Sequence, residues 1–382
     1  MRSDEVVARL GGDEFAIVIP RLRSEEQLVD LSNSIIDRLR EPMVYKGQIL
    51  DCRVSIGVCI YPIHGSTGED LLKSADVALD ASKSSGRATT TLFRTELHED
   101  IQRANAMVLK AHSAIQDDRI VPYYQPKIDL RSGAVVGFEA LLRWRDAQGR
   151  IQTPSAIASA FDDLDMAAAI SDRMAARTIA DMRHWLNRGI KFEHVAINAS
   201  AAEFRRDDFA ERLLERLEKA DIATRHFQLE VTETVFLGRG ADYVHRALAL
   251  LSSSGVKIAL DDFGTGYASL RHLKEFPVDT IKIDKSFVRD MEADREDEEI
   301  IRAVLNLGGN LGIRVVAEGI ETRKQARFLE ELDCDFGQGF LFAKAKPASR
   351  VAKLIEKLDR EYSFATSFDR GEGGLRLVAS GS

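Results

Sequence analysis

The strongest constraint on the fold lies between Val121 and Leu358, where short apolar runs of strand character alternate with longer amphipathic stretches. The runs are PYYQPKIDL, AVVGFEALLRW, HVAINAS, FQLEVTE, KIALDDF, TIKIDK, RVVAEG and FGQGFLF, eight in about 240 residues. Segments of helical period separate most of them, among them Asp207 to Ala220, Arg295 to Leu311 and Thr322 to Leu332. Strand and helix repeated in this number and length predict an α/β fold closed into a (β/α)8 TIM-like barrel.

Seven of the runs each carry one ionisable or amide residue, mostly toward the carboxyl end: Glu139, Asn198, Glu230, Asp261, Lys282, Glu318 and Gln338. Successive strand side chains point to opposite faces, so in HVAINAS the pair Ala196 and Asn198 opposes Val195 and Ile197, and in TIKIDK Lys282 and Asp284 oppose Ile281 and Ile283. In a barrel the apolar face packs on the helices and the polar set points inward at the mouth, where barrel enzymes place their sites. Singly, each acid is equally well a solvated rim residue or a helix cap. Jointly they demand a cation, because buried acids are scarce unless paired or metal-bound. Oxygen-only ligands suit Mg2+ or Mn2+, and the absence of a His or Cys cluster disfavours zinc.

The adjacent carboxylates Asp261 and Asp262 add the prospect of two ions roughly 3.5 to 4 Å apart, the spacing used for in-line attack on phosphate esters. Among such acids Lys282 would orient or deprotonate an attacking water or neutralise developing charge. The alternative for Lys282 is a plain ion pair with Asp284 or a neighbouring acid. Gly264 and Gly266, in DDFGTGYASL, permit a tight mobile loop over the mouth. Glu233, three residues beyond Glu230, is either the anchor of that loop or a surface acid.

Composition narrows the function classes. With 61 acidic and 53 basic residues the chain carries a net charge of -8, which argues against a DNA or RNA polymer as partner. No apolar stretch approaches the roughly 18 residues of a membrane span, and the start lacks a signal-peptide core, so the expectation is a cytoplasmic protein without a membrane segment. Cys52, Cys59 and Cys334 form no CxxC pair and are expected to be buried, reduced thiols.

Residues 1–95 form a smaller α/β unit in this reading, with Val6 to Leu10 and Phe15 to Ile19 flanking a Gly11-Gly12 turn as a hairpin. Residues 96–118 are a connecting helix, 119–362 the barrel, and the aperiodic 363–382 a disordered tail.

FEALLRW, INAS, LEVTE, DDFGTGYASL, IKIDKSFV, AEGIE and GQGFLF, in this order, resemble the successive motifs of the EAL-domain cyclic-di-GMP phosphodiesterases. The resemblance implies Mg2+- or Mn2+-dependent hydrolysis of cyclic-di-GMP to linear pGpG, with two ions. It assigns Glu139, Asn198, Glu230 and Asp261 as metal ligands, and Asp262 and Glu318 to the second ion, directly or through water. Lys282 matches the catalytic lysine, Gln338 a residue holding active-site water, Gln125 and Arg143 substrate contacts, and Glu233 the loop anchor. Ala345 stands where the family often has proline, beyond the site. A homodimer through the EAL domain is compatible with the resemblance. The competing function is a non-catalytic cyclic-di-GMP receptor or partner-binding module, which would be expected to have lost a ligand or the lysine.

The first unit, through ARLGGDEFAIVIP, VSIGVCIYP and DLLKSADVALDASKSSGR, resembles the GGDEF diguanylate cyclase domain. Gly11, Gly12, Asp13 and Glu14 match the signature motif, but that family's amino-terminal half has no counterpart before Met1. Glu5 takes the aspartate place of the RxxD product-inhibition motif in Arg2-Ser3-Asp4-Glu5. The expectation is a truncated, degenerate unit without cyclase activity and with an exposed apolar edge.

Overall fold

A computed structural model describes residues 5–21, 24–50, 52–84, 88–236, 241–264, 270–291 and 294–368. Arg2 to Asp4 of the expected inhibition motif, Gly86 near the end of DLLKSADVALDASKSSGR, most of the expected mouth loop including Gly266, and the expected tail from 369 onward lie outside these residues. The chain divides into two compact units, 1–106 and 107–382.

The first unit begins with a hairpin, β1 (Val6–Gly11) and β2 (Glu14–Val18), turned at Gly12 with φ 52°. Helix α1 (Glu25–Arg40) starts at Ser24, whose hydroxyl accepts from Gln27 N, and buries Leu28, Ser32 and Ile36 on one face. A second hairpin, β3 (Met43–Tyr45) and β4 (Gln48–Leu50), precedes β5 (Ile56–Val58), α2 (Gly68–Ser84) and β6 (Thr90–Leu92). Strands β5 and β6 are parallel, and α2 lies so close on β5 that a Cβ at Gly57 would overlap the backbone of Ala75 and Leu79. Cys52 and Cys59 are partly exposed free thiols, so the expectation of burial holds for Cys334 alone. The expected connecting helix is α3 (Thr95–Gln116), and the division between the units falls inside it.

The second unit runs β7 (Ile120–Asp129), β8 (Val135–Arg145), β9 (Ile151–Gln152), α4 (Leu164–Asn187), β10 (His194–Ala199), α5 (Phe209–Lys219), β11 (Phe227–Thr232), α6 (Ala241–Ser253) and β12 (Lys257–Phe263). It continues α7 (Leu270–Glu275), β13 (Thr280–Ile283), α8 (Lys285–Asp290), α9 (Arg295–Leu311), β14 (Arg314–Ala317), α10 (Arg323–Glu331), β15 (Phe336–Gly337), β16 (Lys346–Pro347) and α11 (Val351–Phe368). Helix starts are capped as the sequence signals require. Asp163 accepts from Asp165 N and Met166 N, Asp294 from Glu296 N, and Thr322 with Gln325 forms a reciprocal capping box.

Eight strands close in the order β7, β15, β14, β13, β12, β11, β10, β8 and back to β7, with β9 and β16 as side strands. The expected barrel therefore exists, with one departure from a regular (β/α)8 repeat. Strands β8 and β10 to β15 run parallel, whereas β7 is antiparallel to both β8 and β15. The reason is the connection from β7 to β8. A tight turn, in which Gly133 N donates to Asp129 O and Ser132 N to Asp129 Oδ1, is too short for the crossover a parallel pair needs.

The last expected strand, FGQGFLF, also differs. It stops at Gly337 because the chain turns against Ile320: Ile320 N donates to Gln338 O and Leu341 N to Ile320 O. Gly339 permits this, since a Cβ there would overlap the Ile320 backbone. At the end, α11 extends through residue 368, so the tail expected from 363 is helical over its first part. The core between sheet and helices is continuous, and Trp185 packs edge-on against Tyr124 at 4.6 Å and Phe192 at 5.7 Å. Among the described residues no helix is long and apolar enough to cross a membrane.

Candidate active site

The barrel mouth is organised around Lys282. Strand β13 points this side chain inward, and its Nζ lies 2.6 Å from Glu230 Oε2, 2.7 Å from Glu318 Oε1, 3.0 Å from Asp261 Oδ1 and 3.5 Å from Glu139 Oε2. The partner is thus the carboxylate cluster. Asp284, the alternative ion-pair partner, instead caps α8 by accepting from Ser286 N. Parallel register explains the convergence: Glu139 on β8 stands beside Ala196 on β10, Asn198 beside Glu230, and Thr232 beside Asp261.

In a regular strand Asp261 and Asp262 would face opposite ways. Here Asp262 takes φ 54°, and the register between β12 and β13 shifts between Leu260 and Phe263. Aspartate tolerates that left-handed conformation better than most residues, and the bulge re-aims its side chain. As a result two ligand groups form, Glu139 with Glu230 and Asp261, and Asp261 with Asp262 and Glu318. The ligand oxygens within each group lie within 4.8 Å of one another, and Asp261 is shared.

The remaining expected residues fall as follows. Asn198 Nδ2 donates to Glu139 Oε1 at 2.8 Å, and Gln338 Nε2 donates to Glu139 Oε2 at 2.7 Å, so both oxygens of Glu139 are oriented. Gln125 on β7 accepts from Gln338 Nε2 at 3.3 Å and donates to Ala343 O. Gln338 Oε1 is buried and has no hydrogen-bond partner among the described residues, an acceptor beside the cluster. Arg143, half-buried on β8, lies on the Glu139 face two strand steps further along, opposite Val121. Glu233 is buried rather than a surface acid, and its Oε1 accepts from Gly264 N at 3.2 Å, where the chain leaves β12 toward the loop.

Electrostatics divides the acids. Burial disfavours the charge of Glu230, but Lys127 and Lys282 outweigh it and hold the carboxyl down at about 2. Burial, reinforced by Asp261 and Glu139 and only partly offset by Lys282, pushes Glu318 up to about 8. Glu139 is raised by burial and by Glu230, Asp261 by burial and Glu230, and Asp262 by burial and Asp284. Burial alone would lower Lys282, yet the surrounding carboxylates raise it well above its ordinary value. Among the described residues five carboxyl groups face two ammonium groups, and the upward shift of four of them marks a mouth short of positive charge. That deficit, with oxygen-only donors, fits a metal ion.

Lys127 is the site residue that the polar-residue pattern missed. It is fully buried on β7 and donates to Glu230 Oε1 at 2.6 Å and to Gln228 Oε1 at 2.7 Å, while Gln228 Nε2 donates to Thr280 Oγ1. Alternation with Gln125 in PYYQPKIDL was the available signal, but in a reversed strand the interior is not entered from the carboxyl end.

Gly11, Gly12, Asp13 and Glu14 belong to the other unit. They are exposed on the β1–β2 hairpin, Arg9 donates to Gly12 O, and Asp13 and Glu14 join no ligand group among the described residues.

Comparison with known proteins agrees with this division. Residues 108–345 match the EAL domain, and residues 1–89 match the GGDEF domain of diguanylate cyclases. The bifunctional diguanylate cyclase/cyclic di-GMP phosphodiesterase MucR of Pseudomonas aeruginosa is 32% identical over 355 residues, covering 93% of this chain and 52% of MucR. The cyclic di-GMP phosphodiesterase NbdA of the same organism is 33% identical over 364 residues, covering 95% of this chain and 46% of NbdA. The chain thus spans about half the length of these relatives. A structure of the PaMucR phosphodiesterase in complex with c-di-GMP superposes with a TM-score of 0.61 at 34% identity, covering 64% of this chain and 99% of that one. The cGMP-bound EAL enzyme Bd1971 gives 0.63 at 31% identity, covering 68% and 71%. With eight strands closed around an acidic mouth and a match over most of its second unit, the chain belongs to the EAL domain family.

Proposed function

We propose that this chain hydrolyses one phosphodiester bond of cyclic-di-GMP to give linear pGpG with two divalent ions, Mg2+ or Mn2+. The observation that carries this reading is the pair of ligand groups sharing Asp261 around Lys282. In this reading Glu139, Asn198, Glu230 and Asp261 would hold one ion, and Asp261, Asp262 and Glu318 the other, directly or through water. Such ions would supply Lewis acidity toward phosphate oxygens and the water activation that hydrolysis needs at neutral pH.

The chain's own groups do the rest. Lys282 keeps its proton at Nζ amid the acids and places positive charge where the phosphate gains negative charge. Gln338 Oε1, without a partner among the described residues, accepts from the attacking water. Arg143, further along β8 on the Glu139 face, and Gln125, opposite Glu139 on β7, bind the dinucleotide, and Glu233 tethers the start of the mouth loop through Gly264 N. The Gly11 to Glu14 hairpin takes no part in this hydrolysis and makes no cyclic-di-GMP from GTP.

Incubation of the purified chain with cyclic-di-GMP and either ion, followed by chromatography, should yield pGpG, and excess EDTA should stop it. Undiminished turnover in EDTA would refute the metal-dependent reading. Tight binding without product would favour a receptor.

A further inference from the structure

We propose that Lys127 sets the metal preference of the mouth by taking one oxygen of Glu230, so that Glu230 offers a single oxygen to an ion and the site favours Mg2+ over Ca2+. The inference rests on the metal-dependent reading above. The two oxygens of Glu230 have different surroundings. Oε2 faces the cluster, 2.6 Å from Lys282 Nζ, while Oε1 faces down the barrel, 2.6 Å from Lys127 Nζ.

Lys127 is itself fixed. It is fully buried, and Gln228, hydrogen-bonded to Thr280 Oγ1, accepts its second bond at 2.7 Å. Lys282, equally close to Oε2, is shared with Glu318, Asp261 and Glu139 and keeps those partners when an ion takes Oε2. Glu230, by contrast, is the one carboxylate that Lys127 contacts among the described residues, and that charge-assisted bond, sealed from water, does not yield its oxygen cheaply. Mg2+ demands near-octahedral ligation and is served by single carboxylate oxygens, whereas Ca2+ takes six to eight oxygens and gains from bidentate carboxylates. A carboxylate with one oxygen already committed therefore discriminates between two ions of equal charge.

Equal charge also makes the effect separable. Removing the Lys127 charge alters electrostatic affinity for both ions alike, but freeing Oε1 alters their ratio. The test follows Mn2+ bound to the full chain by paramagnetic resonance and displaces it with Mg2+ or Ca2+, in wild type and in Lys127→Met. The expected result is a fall of about tenfold in the preference for Mg2+ over Ca2+, a size typical of changes behind a metal ligand. Should Lys127→Met fail to fold, Gln228→Met, which frees Lys127 from its brace, should lower the preference about threefold. A ratio within twofold of wild type in the folded variant, whatever the absolute affinities, overturns the inference alone. Absence of Mn2+ binding to wild type overturns the metal-dependent reading and this inference with it.

Discussion

Glu230 and Glu14 stand in motifs of similar appearance, an acid in a short strand of apolar neighbours, yet their surroundings have nothing in common. Glu230 is fully buried, clasped by Lys127 and Lys282 and grouped with Asp261 of the adjacent strand and Glu139 of β8. Glu14 opens the second strand of a two-stranded hairpin whose side chains are nearly all exposed, Phe15 at 63% and Val6 at 56% among them. A motif becomes a site when the topology brings other strands' acids to it. The barrel does so with parallel register, and the hairpin, paired with no further strand among the described residues, does not.

The comparison breaks most readily at the ligands. Glu139→Ala should abolish detectable hydrolysis, a loss well beyond the roughly 100-fold ceiling for residues behind a metal ligand, while Glu14→Ala should change it less than twofold. Equal losses, measured as kcat/KM with cyclic-di-GMP, would mean that the hairpin belongs to the chemistry. Next, Lys282→Ala should lower kcat by about 10²- to 10⁴-fold with substrate affinity largely kept. Calorimetry showing mainly weakened binding with little change in kcat would contradict its assignment. The smallest effects concern stability. Trp185→Ala, at a side chain 1% exposed, should cost about 3–5 kcal/mol in denaturant unfolding, against less than about 0.5 kcal/mol for Phe15→Ala.

How far the chain could be read in advance follows the same contrast. Parallel strands place their inward residues mostly toward their carboxyl ends, so Glu139, Asn198, Glu230, Asp261, Lys282, Glu318 and Gln338 were legible together from one polar residue per strand, and all of them meet at the mouth. Helix limits were legible from period, Arg295 to Leu311 as expected and Thr322 to Leu332 one residue too long at each end, where Thr322 caps rather than begins the helix. The reversal of β7 was not. Its evidence, a turn too short for a crossover, was present in RSG, but the repeat of eight similar runs masked it, and Lys127 was missed with it. The left-handed backbone of Asp262 was equally hidden, because alternation treats neighbouring residues as opposed until a bulge intervenes. The early end of β15 needed the close approach of Ile320 and Gly339, a contact between separate segments that local pattern does not report.

The reversed strand also dictates an order of events during synthesis. β7 is held on one side by β8, made immediately after it, and on the other by β15 and β16, made more than 200 residues later, and the amides of Gln125 and Gln338 that meet across this seam are 213 positions apart. A growing chain forms the β7–β8 hairpin early and then carries an open edge along β7 until residues 336–347 have emerged. The last stretch of the barrel to leave the ribosome is thus the one that shuts the ring and delivers Gln338 to Glu139. A nascent chain halted at Leu332 should expose that edge to protease, and release of 15 further residues should remove the sensitivity.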